Sequence, residues 1–571
     1  MCGIAGVFSL NPSLKPSVER VKLMTDAIAH RGPDGEGVWV SDNDAIVLGH
    51  RRLSIIDLSV EANQPMISED KRFTIVFNGE IYNYKELRER LIEEGASFRT
   101  SSDTEVLLRL FAVYGRKCLE LLDGMFAFAI WDNIEKKLFC ARDRFGEKPF
   151  YFYFNDDLLI FASEMKSIGA YLGKLELNLE VLQKYLDGSY KFDDIQTPFQ
   201  MIHSLPPSYC MTINSEGLVK ERYWEIDLSK KLLLENDEAY YSRFNELFME
   251  SVNYRLRSDV PVGSSLSGGL DSSTVVGAMA GLEKKELHTF SARFKSEKDE
   301  GRWIADVVSN AKVLNHEVWP DEDGLIQEIE RITWHHEFPL GSASVYAQWC
   351  VMSMPESKGV KVLLDGQGAD EYLCGYDELK YYAIWDLYHK GLFAEFFKER
   401  KLFNQNYGKH GNLGFAFILD PVLKMVGIER SVFKNGYTLK QQLKHYTSTK
   451  LGELLRYADR NSMAYSIEVR LPFLSHKLVE FIFSIPDHLI YREGKTKFIL
   501  REAMKSVLPD SVYNRTDKIG FAPPQNDWLE AEVFKSKYAD SMEFLLEVGL
   551  NQGPDKFRNL ATAILVKMFR K

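Results

Sequence analysis

The strongest constraint on how this chain folds is a change of pattern at the polar stretch from Asp227 to Glu238. Ahead of it, short apolar segments follow at close spacing: Phe73 to Phe77, Met125 to Trp131, Lys137 to Ala141, Pro149 to Phe154 and Leu158 to Ala162. Turn clusters such as Asp132-Asn133 and Asn155-Asp156-Asp157 separate them, which predicts stacked antiparallel sheets. Two helices are expected within that run. One is marked by Val18, Val21, Met24 and Ile28, the other by Val106, Leu107, Leu110, Phe111 and Tyr114 behind the cap-like pair Ser102-Asp103. Beyond the polar stretch, a helical pattern (Glu238 to Arg257) precedes a strand (Val260 to Leu266), a glycine-serine turn and a small-residue helix (Ser272 to Leu282). Further strands at Leu287 to Phe294 and Val360 to Leu364 alternate with helices, so a parallel, doubly wound α/β core is expected. The last stretch, about 190 residues, reads mostly as helix.

At roughly 150 residues per domain, 571 residues give a soft prior of about four domains or two large ones. The polar stretch places one boundary, between residues 1–227 and 228–571. With 45% hydrophobic and 27% charged residues, the chain excludes a disordered or disulfide-scaffold protein. There are 71 basic against 82 acidic residues, a net charge of −11, and no basic block, so nucleic acid is not expected as a partner. Six cysteines without paired spacing suggest neither a zinc site nor a disulfide framework. The start Met1 to Phe8 lacks the pattern of a signal peptide, and a cytoplasmic location is expected. From Phe338 to Pro355 no side chain is acidic or basic, but two prolines, a glycine, three serines and a glutamine speak against a membrane helix. That run is expected as buried chain near a ligand.

Three segments could carry chemistry. Removal of Met1 would leave Cys2 with both a thiol and a free α-amine, and an amine titrating at about 7.7 to 8.0 can take the thiol proton. A small buried residue opening a strand is the plainer alternative. The segments His50 to Ile55, Asn78 to Asn83 and Ser101 to Glu105 offer what an amide substrate needs. A carboxylate can hold an ammonium, an arginine a carboxylate, and an asparagine beside a glycine N–H an oxyanion. Taken singly, Asp103 could cap a helix and Asn78-Gly79 form a turn. The second segment, Ser267 to Ser273, follows a strand and opens a helix. Its N–H groups and glycines suit a pyrophosphate, although the Walker pattern is absent. The third, Leu364 to Glu371, also follows a strand, so Asp370 could share a metal with Asp271. Lys497 stands at a helix start, where an anion nearby makes a cation more tolerable.

Together these segments resemble the glutamine-hydrolysing asparagine synthetases of the B type, which are class II glutamine amidotransferases. The matches run over nearly the whole chain: M-C-G-I-A-G-V-F, H-R-G-P-D, R-L-S-I-I-D, F-N-G-E-I-Y-N, S-S-D-T-E, G-M-F-A-F-A-I-W-D, A-R-D-R-F-G-E-K-P, S-E-M-K-S, S-G-G-L-D-S-S, G-A-D-E and E-V-R-L-P-F-L. The resemblance implies an N-terminal-nucleophile α-β-β-α sandwich that hydrolyses glutamine, followed by a doubly wound pyrophosphate-loop ATP domain with a helical C-terminal part. Cys2 would be the nucleophile, and Asn78 and Gly79 the oxyanion hole. Arg52 would bind the glutamine carboxylate, with Asn78, Glu80 and Asp103 completing its site. Leu266, Ser267, Gly268, Gly269, Asp271, Ser272, Ser273, Gly366 and Lys497 would bind ATP and its pyrophosphate, and Asp271 and Asp370 would hold Mg2+. Aspartate would be adenylated and then amidated by ammonia passing inside the protein. The oligomeric state stays open, a homodimer included.

One position departs from the pattern. Well-studied members commonly read G-E-G where this chain has Gly366-Gln367-Gly368, and a glutamine cannot accept the proton of attacking ammonia. A different acceptor, a cell-wall, sugar or peptide carboxylate, is therefore the alternative to aspartate. A non-catalytic relative is disfavoured because Cys2, Asp271 and Asp370 are all present.

Overall fold

A computed structural model of the chain describes residues 2–190, 195–283, 286–407, 438–517, 521 and 523–570. Met1 and part of the run expected to be helical, residues 408–437, lie outside the described residues.

Through Arg222 the strands are β1 (Gly3–Ser9), β2 (Gly35–Val40), β3 (Ile46–Arg52), β4 (Met66–Ile67), β5 (Phe73–Ile81), β6 (Gly124–Asp132), β7 (Lys137–Arg142), β8 (Tyr151–Phe154), β9 (Leu158–Ala162), β10 (Ile202–Ser204), β11 (Tyr209–Asn214) and β12 (Gly217–Arg222). They form two six-stranded sheets, ordered β10-β8-β9-β1-β3-β2 and β12-β11-β7-β6-β5-β4, antiparallel throughout. Because successive side chains point to opposite faces, Ile4, Phe8 and Leu48 of the first sheet pack between the sheets against Val76, Trp131 and Leu138 of the second. Their neighbours Ala5, Val7 and Val47 face outward onto the helices Val18–Asp26 and Met165–Leu172. On the far side of the second sheet, Ile75, Phe77 and Phe128 meet Val106, Leu107 and Phe111 of the helix Asp103–Tyr114. The layers thus run helix, sheet, sheet, helix.

The second half holds β13 (Val262–Ser265), β14 (His288–Ala292), β15 (Leu314–Val318), β16 (Val362–Leu364) and β17 (Glu468–Arg470) in the order β15-β14-β13-β16-β17, all parallel. Chain order reverses between β13 and β16. An open α/β sheet leaves a crevice there, at the carboxyl ends of its strands. β13 runs into the Ser267 to Ser273 loop and β16 into Asp365 to Asp370.

Several elements differ from the sequence reading. Helices Tyr84–Glu93, Met165–Leu172 and Leu179–Leu186 join the two expected in the first half. The first buries only Tyr84, Leu87 and Leu91 among charged neighbours, which hides its apolar stripe. β15 shows no apolar run in the sequence because it is a sheet edge with only partly covered side chains. The strand expected from Val260 begins at Val262, since Pro261 has no N–H to give to a ladder.

One motif residue organises a turn instead of binding a ligand. Asp143 is fully buried, and its carboxylate accepts the N–H groups of Phe145 (3.0 Å), Gly146 (2.7 Å), Glu147 (2.9 Å), Lys148 (2.9 Å) and Phe126 (3.3 Å). Asp143→Ala leaves these donors buried and unpaired, so urea denaturation should show a loss of about 3 kcal/mol or more. A loss under about 1 kcal/mol would mean that water replaces the carboxylate.

Candidate active sites

β5 carries Asn78, Gly79 and Glu80, β3 ends at Arg52, and β1 begins one residue after Cys2. The helix Asp103–Tyr114 is capped by Ser102, which frees Asp103 Oδ2 to accept the N–H of Ile81 at 2.9 Å. Cys2, Arg52, Gly79, Glu80 and Asp103 therefore surround one cavity of about 30 Å³. Asn78 lies against it: its Oδ1 accepts the Cys2 N–H at 3.0 Å. With that oxygen committed, Asn78 Nδ2 is a buried donor without a partner among the described residues, and Glu80 Oε1 is a buried acceptor in the same condition. Gly79 has to be glycine, because a Cβ there would lie 2.1 Å from the Met125 carbonyl oxygen.

Arg52 is already engaged. Its Nη1 donates to Ser59 O (2.6 Å) and Asn63 Oδ1 (2.8 Å), and its Nη2 to Asp57 O. The cavity is also much smaller than a glutamine, so binding requires the segment carrying these acceptors to yield. Burial pushes the Cys2 thiol above its ordinary value, with Arg52 pulling the other way. Burial likewise raises Asp103 to about 6 and holds Glu80 well above the carboxylate range, aided by Asp103.

Glu468, absent from the residues expected at this site, lines the cavity from β17 in the other half of the chain. Burial alone would raise its carboxyl, but the positive amino terminus and Arg470 bring it down to about 2. A signal existed: Glu468 and Arg470 are two apart on an apolar strand, so two opposite charges share one face and must find buried partners.

A second cavity, of about 570 Å³, opens at the switch point between β13 and β16. Leu266, Ser267, Gly269, Asp271, Ser272, Gly366, Asp370 and Lys497 line it, whereas Gly268 and Ser273 are not among its lining residues. Ser267 and Ser272 hydroxyls lie 3.0 Å apart, and Ser273 Oγ is buried without a partner among the described residues. A Cβ on Gly366 would come within 2.6 Å of the Ser272 nitrogen, so the β16 loop closes on the β13 loop only without a side chain there. Lys497 Nζ sits 2.5 Å from both Asp271 Oδ2 and Asp370 Oδ1. Burial would lower this lysine, but the two carboxylates raise it to about 12. Two carboxylates converging on one cationic point fit Mg2+, which commonly takes one or two carboxylates and completes its shell with phosphate oxygens and water. No group of three or more His, Cys, Asp or Glu is spaced for a metal among the described residues.

The uncharged run from Phe338 to Pro355 forms the helix Ser344–Met352, whose Ser344, Val345, Gln348 and Val351 line the same cavity. Gln367 lines it too, and its Oε1 is buried without a partner among the described residues. Among the described residues no helix is long and apolar enough to cross a membrane.

Residues 1–224 match the glutamine amidotransferase domain family and residues 243–543 the asparagine synthase family. Asparagine synthetase [glutamine-hydrolyzing] 1 of Bacillus subtilis is 33% identical, covering 93% of this chain and 88% of its own. Amidase chry2 of Gibberella zeae is 29% identical over 94% and 91% of the two chains. Amidase chyE of Penicillium rubens is 28% identical over 92% and 89%. On these matches and the two cavities beneath them, the chain belongs to the glutamine-hydrolysing asparagine synthetase family, joining a glutamine amidotransferase domain to an asparagine synthase domain.

Proposed function

We propose that residues 1–227 hydrolyse glutamine at the Cys2 cavity and that residues 228–571 use the ammonia to convert L-aspartate into L-asparagine, with ATP giving AMP and pyrophosphate. The observation that carries this reading is the pair of buried atoms beside Cys2 that have no partner among the described residues: Asn78 Nδ2 suits an oxyanion and Glu80 Oε1 an ammonium. Once Met1 is removed, the Cys2 α-amine takes the thiol proton and the thiolate attacks the side-chain amide carbon. Asn78 Nδ2 and the Gly79 N–H receive the oxyanion, and ammonia leaves with the proton. Water then cleaves the thioester to glutamate. Arg52 holds the substrate carboxylate, and Glu80 and Asp103 its ammonium.

In the larger cavity the acceptor carboxylate attacks the α-phosphorus of ATP and expels pyrophosphate. Ammonia then attacks the acyl carbon and displaces AMP. The Leu266 to Ser273 segment and Gly366 cradle the phosphates, and Lys497 neutralises charge on the leaving group. Asp271 and Asp370 would hold Mg2+, which supplies positive charge to the pyrophosphate. The position of Gln367 favours a second reading, amidation of a cell-wall, sugar or peptide carboxylate by the same chemistry, since an amide there cannot take a proton from ammonia. Relatives named as amidases fit that reading as well.

Screening carboxylates for pyrophosphate release with ATP, Mg2+ and glutamine tests the function. Aspartate-dependent pyrophosphate and asparagine are expected; release driven by another carboxylate alone selects the second reading. Cys2→Ala should abolish synthesis from glutamine while synthesis from ammonium salts persists, and equal loss of both would contradict two separate sites. Acidification should act twice on kcat/KM for glutamine: first through the α-amine, which titrates at about 7.7 to 8.0, then through Asp103, which protonates at about 6. A protonated Asp103 no longer attracts an ammonium, so the acid limb should steepen below that pH. Asp103→Asn should keep the first limb and lose the steepening.

A further inference from the structure

We infer that Arg470, on the edge strand of the parallel sheet, is a positioning residue of the glutamine site, holding Glu80 as the acceptor for the α-ammonium. The glutamine pocket is then built from both halves of the chain. The inference rests on the glutaminase reading above.

Arg470 is fully buried, and each arm of its guanidinium is spoken for. Nη1 donates to the carbonyls of Arg255 (2.8 Å) and Arg257 (2.6 Å), which fix the plane of the group. Nε then meets Glu468 Oε1 at 2.6 Å, and Nη2 meets Glu80 Oε2 at 3.1 Å. The fork therefore grips one oxygen of Glu80 and turns the other, Oε1, into the interior, where no described group bonds it. Glu80, Asp103 and Glu468 all line the cavity that holds Cys2. Three carboxylates gather near Arg470 at this end of the pocket, so an ammonium is welcome there. A buried carboxylate stays ionised only with a cation beside it. Burial and the neighbouring Asp103 both push Glu80 towards its neutral form, and Arg470 is the strongest of the groups that oppose them.

The arrangement also explains why an arginine stands here. A lysine could reach Glu80 or the two carbonyls, but its single ammonium cannot bond four acceptors in one plane. Strand β17 provides rigid support: Arg470 O accepts the N–H of Asp365 at 3.0 Å, which ties it to the loop following β16.

The test uses full-length Arg470→Met and Arg470→Lys with two substrates, glutamine and glutaramic acid, which lacks the α-amino group. With glutamine, R470M should raise KM about tenfold or more, with kcat changed far less, because a buried charge-assisted partner is lost. With glutaramic acid it should leave KM nearly as in the wild type, since no ammonium is read. On a Glu80→Gln background the R470M effect should vanish. Equal rises in KM for both substrates, or a loss of kcat for both, would show that Arg470 serves only the fold and overturn the inference; so would unchanged glutamine kinetics. Should R470M fail to fold, R470K carries the same comparison, with a smaller rise for glutamine only. A wild-type chain that hydrolyses no glutamine sinks the functional reading and this inference together.

Discussion

Burying an ion costs several kcal/mol unless a partner is already in place, and this chain buries ions whose partners come from its other half. Arg31 of the sandwich donates to both oxygens of Asp459 at 2.9 Å and to Glu164. Arg460, one residue further along the same helix as Asp459, pairs with Glu164 at 2.8 Å and with Glu337 at 2.9 Å. Glu337 in turn accepts the N–H of Met165 at 3.0 Å. The Arg31–Asp459 and Arg460–Glu164 pairs form only when the layered sandwich and the parallel-sheet half are docked in this register. The H-R-G-P-D, S-E-M-K-S and E-V-R-L-P-F-L segments thereby acquire a common physical purpose, since Arg31, Glu164, Lys166, Glu468 and Arg470 all sit in or beside this interface.

The two cavities handle charge in opposite ways. Around Cys2, the carboxylates Glu80, Asp103 and Glu468 outnumber the lining guanidinium of Arg52, with Arg470 paired to Glu80 and Glu468, which suits a substrate that brings its own ammonium. At the switch point, Lys497 is clamped between Asp271 and Asp370, so cationic charge is held where a pyrophosphate would leave. The protein as a whole carries −11. A polyanionic substrate can therefore be bound only by local devices of this kind. The cavities measure about 30 Å³ and about 570 Å³, so a ligand the size of glutamine would enter the first only if it opened.

Legibility in the sequence followed burial and locality. The apolar runs at β6, β7 and β9 stand out because both of their faces are covered, by the other sheet on one side and by helices on the other. The helix Tyr84–Glu93 and the edge strand β15 do not, because only a few of their side chains enter a core. Cys2, Asn78, Gly79, Glu80 and Asp103 could be singled out because their types suit amide chemistry and they lie in short segments at strand ends. Nothing in the segment that contains Arg52 reveals that Ser59, Asn63 and Asp57 already occupy much of its fork. Glu468 could not be assigned to the first cavity either, since its distance along the chain carries no information about which pocket a buried strand will face.

By itself the sequence determined two architectures on one chain, closely spaced antiparallel strands and then alternating strands and helices, because hydrophobic periodicity is a local property. It also determined the chemical types available at the strand ends, where a thiol, carboxylates and a glycine-serine loop are written in order. Only the tertiary structure decided that Glu468 lines the Cys2 cavity with Arg470 paired to it, that Asp143 ties a turn, and that Lys497 bridges Asp271 and Asp370. The physical reason is that buried charges are placed by their partners, and those partners are brought together by docking of the two halves and not by neighbourhood along the chain.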